Sequence, residues 1–538
     1  MELSPESTIG SHAPSLLAKE MSSIANHEVR EVAPVVHGAC VTSMLSAIIE
    51  APAVPSNRVL VTRLPRFPDD LPRQLGLVLA QNGKAYAVMA DAGNPYVLAV
   101  GSRRLNNIIR ELAHDAGVNL RKAEISELND ILQAKAETAG VRKFVWLRVA
   151  PIPGGSEIDS GDDNHTRFRI TADKVEIIEG GSESLFYRTQ SCQPMCMPAQ
   201  VGNLKLLKKY LNLDWVSFVL LIAWLSYTLA HPKASSSVYV ILVLKGGQGS
   251  GKSTLSKRLT RLIDPRLIGV QILPGNGKDL AIATQNAHVN CYDNLRNISH
   301  SMSDLLCIAA TGGAITSRQL YTDADQQAIS LHGALIINGI PSIVDQPDLA
   351  QRCLSLQLTP LSEGDRKSDA ELAQELEADL PAIQRGLFDL IAKVFLHLPD
   401  VKVTDPQRMI EFVKWLGAME IADGVSAGTY QGAYSDALNE GQRDSLQDNV
   451  LAAAVLDFAE SEMDGPWSGT PTELLTTLNS QATHGTPRSK EWPQTPIALS
   501  KRLLPLQTGL LSQGVSVELG RGKHRTISIK KFSENTKS

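Results

Sequence analysis

The chain is short of clustered cysteine. Of its six cysteines, Cys40, Cys192, Cys196, Cys291, Cys307 and Cys353, only Cys192 and Cys196 stand close together. Without a second pair or neighbouring histidines a zinc site lacks ligands, and free thiols in a reducing cytoplasm are expected. Nor is there an excess of positive charge. The 52 Lys and Arg stand against 57 Asp and Glu, a net charge of −5, which rules out a uniformly basic nucleic-acid coat. Any contact with nucleic acid has to come from local patches or a positively lined channel. Trp215 to Ala230 is a mostly apolar run of sixteen residues that falls short of the roughly twenty that span a bilayer, so a buried helix is expected and no membrane partner. Met1 to Ser22 carries Glu2, Glu6 and Glu20 and has no basic region followed by an apolar core. Export is not expected, and the chain is assigned to the cytoplasm.

What is present is a length of 538 residues with 43% apolar side chains, enough for roughly three to five domains with buried cores. The most informative segment is Val238 to Leu262, VYVILVLKGGQGSGKSTLSKRLTRL, an apolar strand running into a glycine-rich loop and an amphipathic helix. Gly246, Gly251, Lys252 and Ser253 fill the G-x-x-x-x-G-K-[ST] template, and Gly247, Gln248, Gly249 and Ser250 complete the loop before Thr254. The glycines let successive backbone N–H groups face phosphate at a helix N-terminus. Lys252 is expected to reach the β and γ phosphates of ATP, and the Ser253 hydroxyl to ligate Mg²⁺.

Around this segment the chain divides by composition. Residues 1–57 lack a sustained period and read as a loosely ordered arm. Over 58–200 short apolar runs (Val59–Val61, Tyr86–Ala90, Tyr96–Val100, Phe144–Val149, Phe168–Ile170, Val175–Ile178) alternate with turn signals around a helical Leu105–Ala116, which suggests a small α+β domain. Within it Asp159, Asp162 and Asp163 fit either a solvated turn or a two-metal site. Residues 201–237 read as a helical collar, 238–360 as the nucleotide-binding core and 361–445 as a helical subdomain, from the periodicity of Asp369–Leu398 and Pro406–Ala437.

Residues 446–538 combine helices at Leu451–Ser461, Thr470–Leu478 and Thr495–Gln513 with two short strands, Val515–Leu519 and Arg525–Lys530, around the turn Gly520-Arg521-Gly522-Lys523. Helices followed by a basic hairpin describe a winged helix. From Lys501 onward eight Lys and Arg face two Glu, making Arg521, Lys523 and Arg525 candidates for DNA contact, with docking to a protein as the competing use.

Within the core, VNCYDN (289–294) is an apolar strand ending in Asp293, a carboxylate suited to hold Mg²⁺ through water. GALIINGI (333–340) is a second buried strand. Its Asn338 either positions an attacking water or sits in a turn. Arg352, just before a last strand, is suited to project into a neighbouring subunit's nucleotide.

Taken in order, the P-loop, the single-acid strand, ATGGAITSRQLYTD (310–323), the strand with its terminal Asn and the final D-x(3)-R resemble the superfamily 3 helicases of the AAA+ class. The likeness is nearest to the primase-associated helicases of poxviruses, phages and other mobile elements. It implies a multidomain α/β protein with an AAA+ core and parallel sheet, assembled as a hexameric ring, with ATP between subunits. Lys252, Ser253, Asp293 and Asn338 would act from one side and Arg352 from the next. Arg318 and Tyr321 would lie on a pore hairpin, Arg318 on phosphate and Tyr321 either stacking on a base or buried beneath the hairpin.

One position departs from the pattern. Where these motors usually carry a second acid to polarise water, this chain has Asn294. Asp304 takes that role, or hydrolysis is slow, or the site is a nucleotide-gated assembly switch. No primase carboxylates are evident, so priming is not carried over. The resulting expectation is an ATP-dependent DNA helicase or translocase acting on single-stranded or forked DNA in mobile-element or phage replication, with replication or primase proteins as further partners. The alternative is an oligomeric nucleotide-binding assembly or regulatory ATPase, for example in defence, that does not unwind DNA.

Overall fold

The computed structural model describes residues 76–532 apart from 90–92, 116, 140, 173, 235, 319–325, 340–342, 360–367, 462–464, 483–486, 488–491 and 522–524. The arm expected over 1–57 and the run Val59–Val61 lie outside the described residues.

The chain enters through strands β1 (Gly76–Ala80), β2 (Ala85–Met89) and β3 (Tyr96–Ala99), helices α1 (Arg103–Asp115) and α2 (Lys122–Ala139), and the short strands β4 (Arg142–Lys143) and β5 (Val145–Trp146). β1 to β4 form a sheet in the order β3-β2-β1-β4, with α1 and α2 burying Leu105, Ile109, Leu128 and Leu132 against it. An antiparallel meander follows, β6 (Val149–Ile152), β7 (Gly155–Asp159), β8 (Arg167–Thr171) and β9 (Val175–Ile178), and β10 (Leu185–Phe186) then pairs with β5. Asp159 is neither in a solvated turn nor in a metal site. It ends β7 fully buried, with ion pairs to Arg167 and Arg188, while Asp162 accepts from Thr166 N–H and Oγ1. Burial opposes ionisation of Asp159, yet the two guanidiniums hold its carboxyl at about 2. Among the described residues no acidic or His/Cys cluster has metal-binding geometry.

Helix α3 (Trp215–Ala230) begins at an Asp214 N-cap and is buried from Phe218 onward. A helix apolar on all sides belongs inside a core, and Trp224 Nε1 donates to Val240 O at 2.7 Å. No single described helix is long and apolar enough to cross a membrane.

The central element is a five-stranded sheet made of β11 (Ile241–Lys245), β12 (Val270–Gln271), β13 (Val289–Leu295), β16 (Ala334–Gly339) and β17 (Cys353–Gln357), all parallel, in the order β12-β13-β16-β11-β17. Its connections are α4 (Lys252–Ile263), α5 (Gly277–Asn286), α6 (His300–Thr311), the hairpin β14 (Gly313–Arg318) with β15 (Gln326–Leu331), and α7 (Pro347–Ala350). Two-residue alternation sets the two faces. Leu242 and Leu244 join the core shared with α3, while Ile241 and Val243 join the one under α6. Such a doubly covered parallel sheet explains why these strands read as unbroken apolar runs.

Helices α8 (Asp369–His397), α9 (Ile410–Asp423) and α10 (Thr429–Asp448) close the first core. The expected continuous pattern over Pro406–Ala437 is broken at Gly424, which takes the left-handed C-cap conformation (φ +68°) between α9 and α10. The C-terminal unit consists of α11 (Val450–Ser461), β18 (Trp467–Gly469), α12 (Pro471–Gln481), α13 (Pro496–Leu503), α14 (Gln507–Ser512), β19 (Val515–Arg521) and β20 (Arg525–Lys531). Its strands form an antiparallel sheet in the order β18-β20-β19. The single helix expected over Thr495–Gln513 is instead α13 and α14 joined by a 3-10 turn, Leu504–Leu506, at Pro505, whose ring cannot donate the helical hydrogen bond.

Candidate functional site

The parallel register puts the carboxyl ends of β11, β13 and β16 together at one end of the sheet. The glycine-rich loop leaves β11 there and enters α4 with Gly251 at φ +83°, ψ +15°, a left-handed conformation that disfavours any side chain. Gly246 has a different constraint, because a Cβ there would sit 2.5 Å from Ser250 Oγ. Gly247, Gln248 and Gly249 are exposed, and Cβ positions built at Gly247 and Gly249 meet open space. The Lys252 ammonium donates to Gly246 O at 2.7 Å and Gly247 O at 2.8 Å, so it lies folded across the mouth of the loop. Ser253 and Thr254 follow in the first turn of α4, Ser253 exposed.

Asp293 and Asn294 occupy an irregular end of β13, where the register to β16 shifts between Tyr292 and Leu295. Asn294 takes φ +59°, a conformation Asn tolerates better than most residues, and it is exposed, while Asp293 is half-buried. Asn338 lies within β16, fully buried, beside Leu244 of β11. Its Oδ1 accepts from Asn294 N–H at 3.1 Å, and its Nδ2 donates to Ser256 Oγ at 2.7 Å. One amide thus ties the bulge bearing Asp293 to the helix that starts with Lys252. Ser256 was not singled out from sequence, since a serine one turn into a helix carries no signal of its own.

Lys245, the last residue of β11, is almost fully buried and donates to Asp444 Oδ2 of α10 at 3.1 Å. A few residues further along α10, Leu446 is buried in the C-terminal core and packs on Gly509. The base of the loop therefore contacts the helix that anchors the last domain.

Arg352 lies at the other end of the sheet. Ile241 N–H donates to its carbonyl, and Cys353 pairs with Ile241 just as Gln357 pairs with Lys245. Its buried guanidinium binds Asp348 Oδ2 at 2.7 Å and Asp348 O at 2.6 Å. Asp348 Oδ1 accepts from Arg408 at 2.7 Å. Burial would raise the Asp348 carboxyl, but Arg352 and Arg408 hold it below the usual carboxylate range. Asp348 is the acid of the D-x(3)-R motif, but its hold on Arg352 was not read from it, and Arg408 did not stand out in the sequence.

A second buried network sits at this same end. Asp264, the C-cap of α4, accepts from His288 N–H and Val289 N–H at the start of β13 and pairs with Arg148 of the first domain at 3.0 Å. Arg148 also donates to the carbonyls of Asp159, Ser160 and Gln193. Burial opposes ionisation of Asp264, but Arg148 and Arg266 hold it in the charged form. Burial pushes His231, His288 and His332 down to about 4, so they are neutral near pH 7.

Arg318 ends β14, paired with Gln326 across the hairpin. Tyr321 lies outside the described residues. In the C-terminal unit Arg521 and Arg525 face each other across β19 and β20, Arg525 exposed, while Lys523 lies outside the described residues. The P-loop residues, Asp293 and Asn338 thus share one end of the sheet, Arg352 occupies the other, and the hairpin and C-terminal cations stand on separate elements.

Two family models match the chain. Residues 206–441 match the replication protein of actinomycete integrative conjugative elements, and residues 451–538 match the C-terminal domain of RepA from these elements. The class these matches define is that of replication-related proteins of mobile elements. Within it the chain is similar to RepA of actinomycete integrative conjugative elements.

No curated protein matches. Among solved structures the A-form apo structure of the NrS-1 C-terminal region aligns at 13% identity and a TM-score of 0.35, covering 88% of this chain and 98% of that one. A second structure of the region, residues 305–718 in its own description, aligns at 11% and 0.34, covering 87% and 99%. At that degree of superposition nothing further follows from the likeness.

Proposed function

We propose that the chain is an ATP-dependent DNA helicase or translocase that works as an oligomeric ring in replication of a mobile element. The observation that carries this reading is the convergence of the glycine loop, Asp293 and Asn338 at one end of a parallel sheet whose strands, numbered by appearance, run 2-3-4-1-5. That order, with a strand inserted between the P-loop strand and the acidic strand, suits the AAA+ class.

The residues present fit ATP and Mg²⁺. Backbone N–H groups of an exposed loop open a helix N-terminus for phosphate, and Lys252 exchanges its bonds to the loop carbonyls for phosphate oxygens. Ser253 and Asp293 would hold Mg²⁺, which would supply neutralisation of charge on the triphosphate. Asn338 acts as a positioning residue, since both ends of its amide are bonded to protein. Arg318 and Tyr321 of the hairpin grip a single strand, Arg318 on phosphate. The C-terminal unit, a winged helix in strand order, meets duplex phosphate through Arg521, Lys523 and Arg525. The replication-family matches over residues 206–441 and 451–538 support DNA as the partner.

A second reading has its own observation. Asn294 is exposed beside Asp293 with its N–H committed to Asn338, and an amide cannot accept a proton. Asp304, exposed on α6, is the alternative base; without one, slow turnover makes the site an assembly switch. ATP-dependent displacement of a strand from forked DNA tests the choice. Unwinding by the native chain and none by Lys252→Ala supports the motor. Nucleotide-dependent assembly without displacement transfers the case to the switch.

A further inference from the structure

Asp348 holds two guanidiniums at once. Its Oδ2 binds Arg352 and its Oδ1 binds Arg408, each at 2.7 Å, and Gln351 Oε1 accepts a further bond from Arg408 at 3.3 Å. The two arginines differ in access, Arg352 with 8% of its side chain exposed and Arg408 with 42%, while Asp348 itself is 60% exposed. A carboxylate that open to water gains little from a second guanidinium, so the pair is weak as a stabilising device. As a store of positive charge at the surface it is well arranged, because Arg408 is 42% exposed and meets both Asp348 and Gln351 through Nη1.

Position decides whose phosphates such a charge can meet. Cys353 pairs with Ile241, four residues before Lys245. At about 3.3 Å per residue the cluster lies roughly 13 Å below the start of the chain's own glycine loop, at the opposite end of the strand. Arg408 reaches the cluster from a different element, just before α9. A nucleotide served from here belongs to a second copy of the chain.

We infer that Arg408 is a second in-trans catalytic cation, delivered with Arg352 to the nucleotide of the neighbouring subunit, and that Asp348 is the resting counter-ion that positions both. This rests on the ring reading proposed above. Engagement exchanges carboxylate oxygens for phosphate oxygens on each guanidinium, an exchange of like partners that leaves no buried charge unpaired. No bond to Asp348 breaks or forms covalently.

The test uses mixed rings of the full chain with ATP and Mg²⁺. Arg408→Ala alone is expected to lower turnover between about tenfold and a hundredfold, as for loss of one donor to transition-state charge, and Arg352→Ala by more. Mixing Arg408→Ala with Lys252→Ala creates sites whose P-loop comes from the first subunit and whose Arg408 comes from the second. Turnover above that of either parent is expected, a recovery that a merely structural role for Arg408 does not give. Arg408→Gln, which keeps a donor for Asp348, serves if the alanine variant melts early. Native turnover by Arg408→Ala, or no recovery on mixing while the Arg352→Ala mixture recovers, overturns the inference and leaves the ring intact. A monomer by light scattering with a non-hydrolysable nucleotide overturns the ring reading itself.

Discussion

The two ends of the five-stranded sheet are built by opposite rules. Beyond the carboxyl end of β11 the loop backbone is exposed, glycine-rich and partly left-handed, and the Lys252 ammonium is held by loop atoms, Gly246 O, Gly247 O and Ser250 Oγ. At the other end Arg148, Asp264 and three neutral histidines are buried and bonded to backbone from three segments of the chain. The exposed loop at the first end is open to a ligand, while Arg148 and Asp264 at the second are committed to each other and to backbone. What the contrast teaches is that charge alone does not mark a site. The buried pair Arg148–Asp264 is a joint between domains.

The comparison breaks most visibly at that joint. Asp264→Ala leaves Arg148 buried without its counter-ion and is expected to cost about 3–5 kcal/mol, read as a drop in urea midpoint. A loss under about 1 kcal/mol means water reaches the joint. Asn338→Leu strands the Asn294 N–H and the Ser256 hydroxyl, with an expected cost of about 1–3 kcal/mol by the same measurement; no change means the bulge repacks. Gly251→Ala forces a side chain into φ +83° and should cost about 1–2 kcal/mol together with nucleotide binding, which isothermal titration reports.

Lys252→Ala is expected to leave the nucleotide-free melting temperature within experimental scatter and to abolish the rise produced by ATP analogues. A large drop without nucleotide gives the lysine a structural role. The smallest effect is acid sensitivity. His231, His288 and His332 have folded values near 4, below the 6.5 of a free imidazole, so the unfolded chain binds protons first. Their contribution is complete above about pH 6.5 and is lost as pH falls toward 4. Melting temperatures across that window should fall, and His288→Gln should flatten the slope.

The two ends also differ in how far they were legible. The loop from Gly246 to Ser253 is local in sequence, and its template carries its own geometry. Asn338 stood out only as the polar end of an apolar strand; that its amide bridges Asn294 and Ser256 depends on the strand order, which joins residues 44 and 82 positions away. The joint was invisible for the same reason, since Arg148 and Asp264 are 116 residues apart. Asp159 looked like part of a turn because its neighbours are turn formers, while the arginines that bury it lie 8 and 29 residues on. The pause at Pro505 and the break at Gly424 were readable residue by residue and were smoothed over by the periodicity around them.

Steady-state ATP hydrolysis by the full chain, with and without single-stranded DNA and with Lys252→Ala as the blank, tests the account most directly. Turnover that is strongly stimulated by DNA and absent in the variant is the expected result. Turnover that survives Lys252→Ala in a clean preparation would contradict the assignment of the glycine loop as the catalytic site.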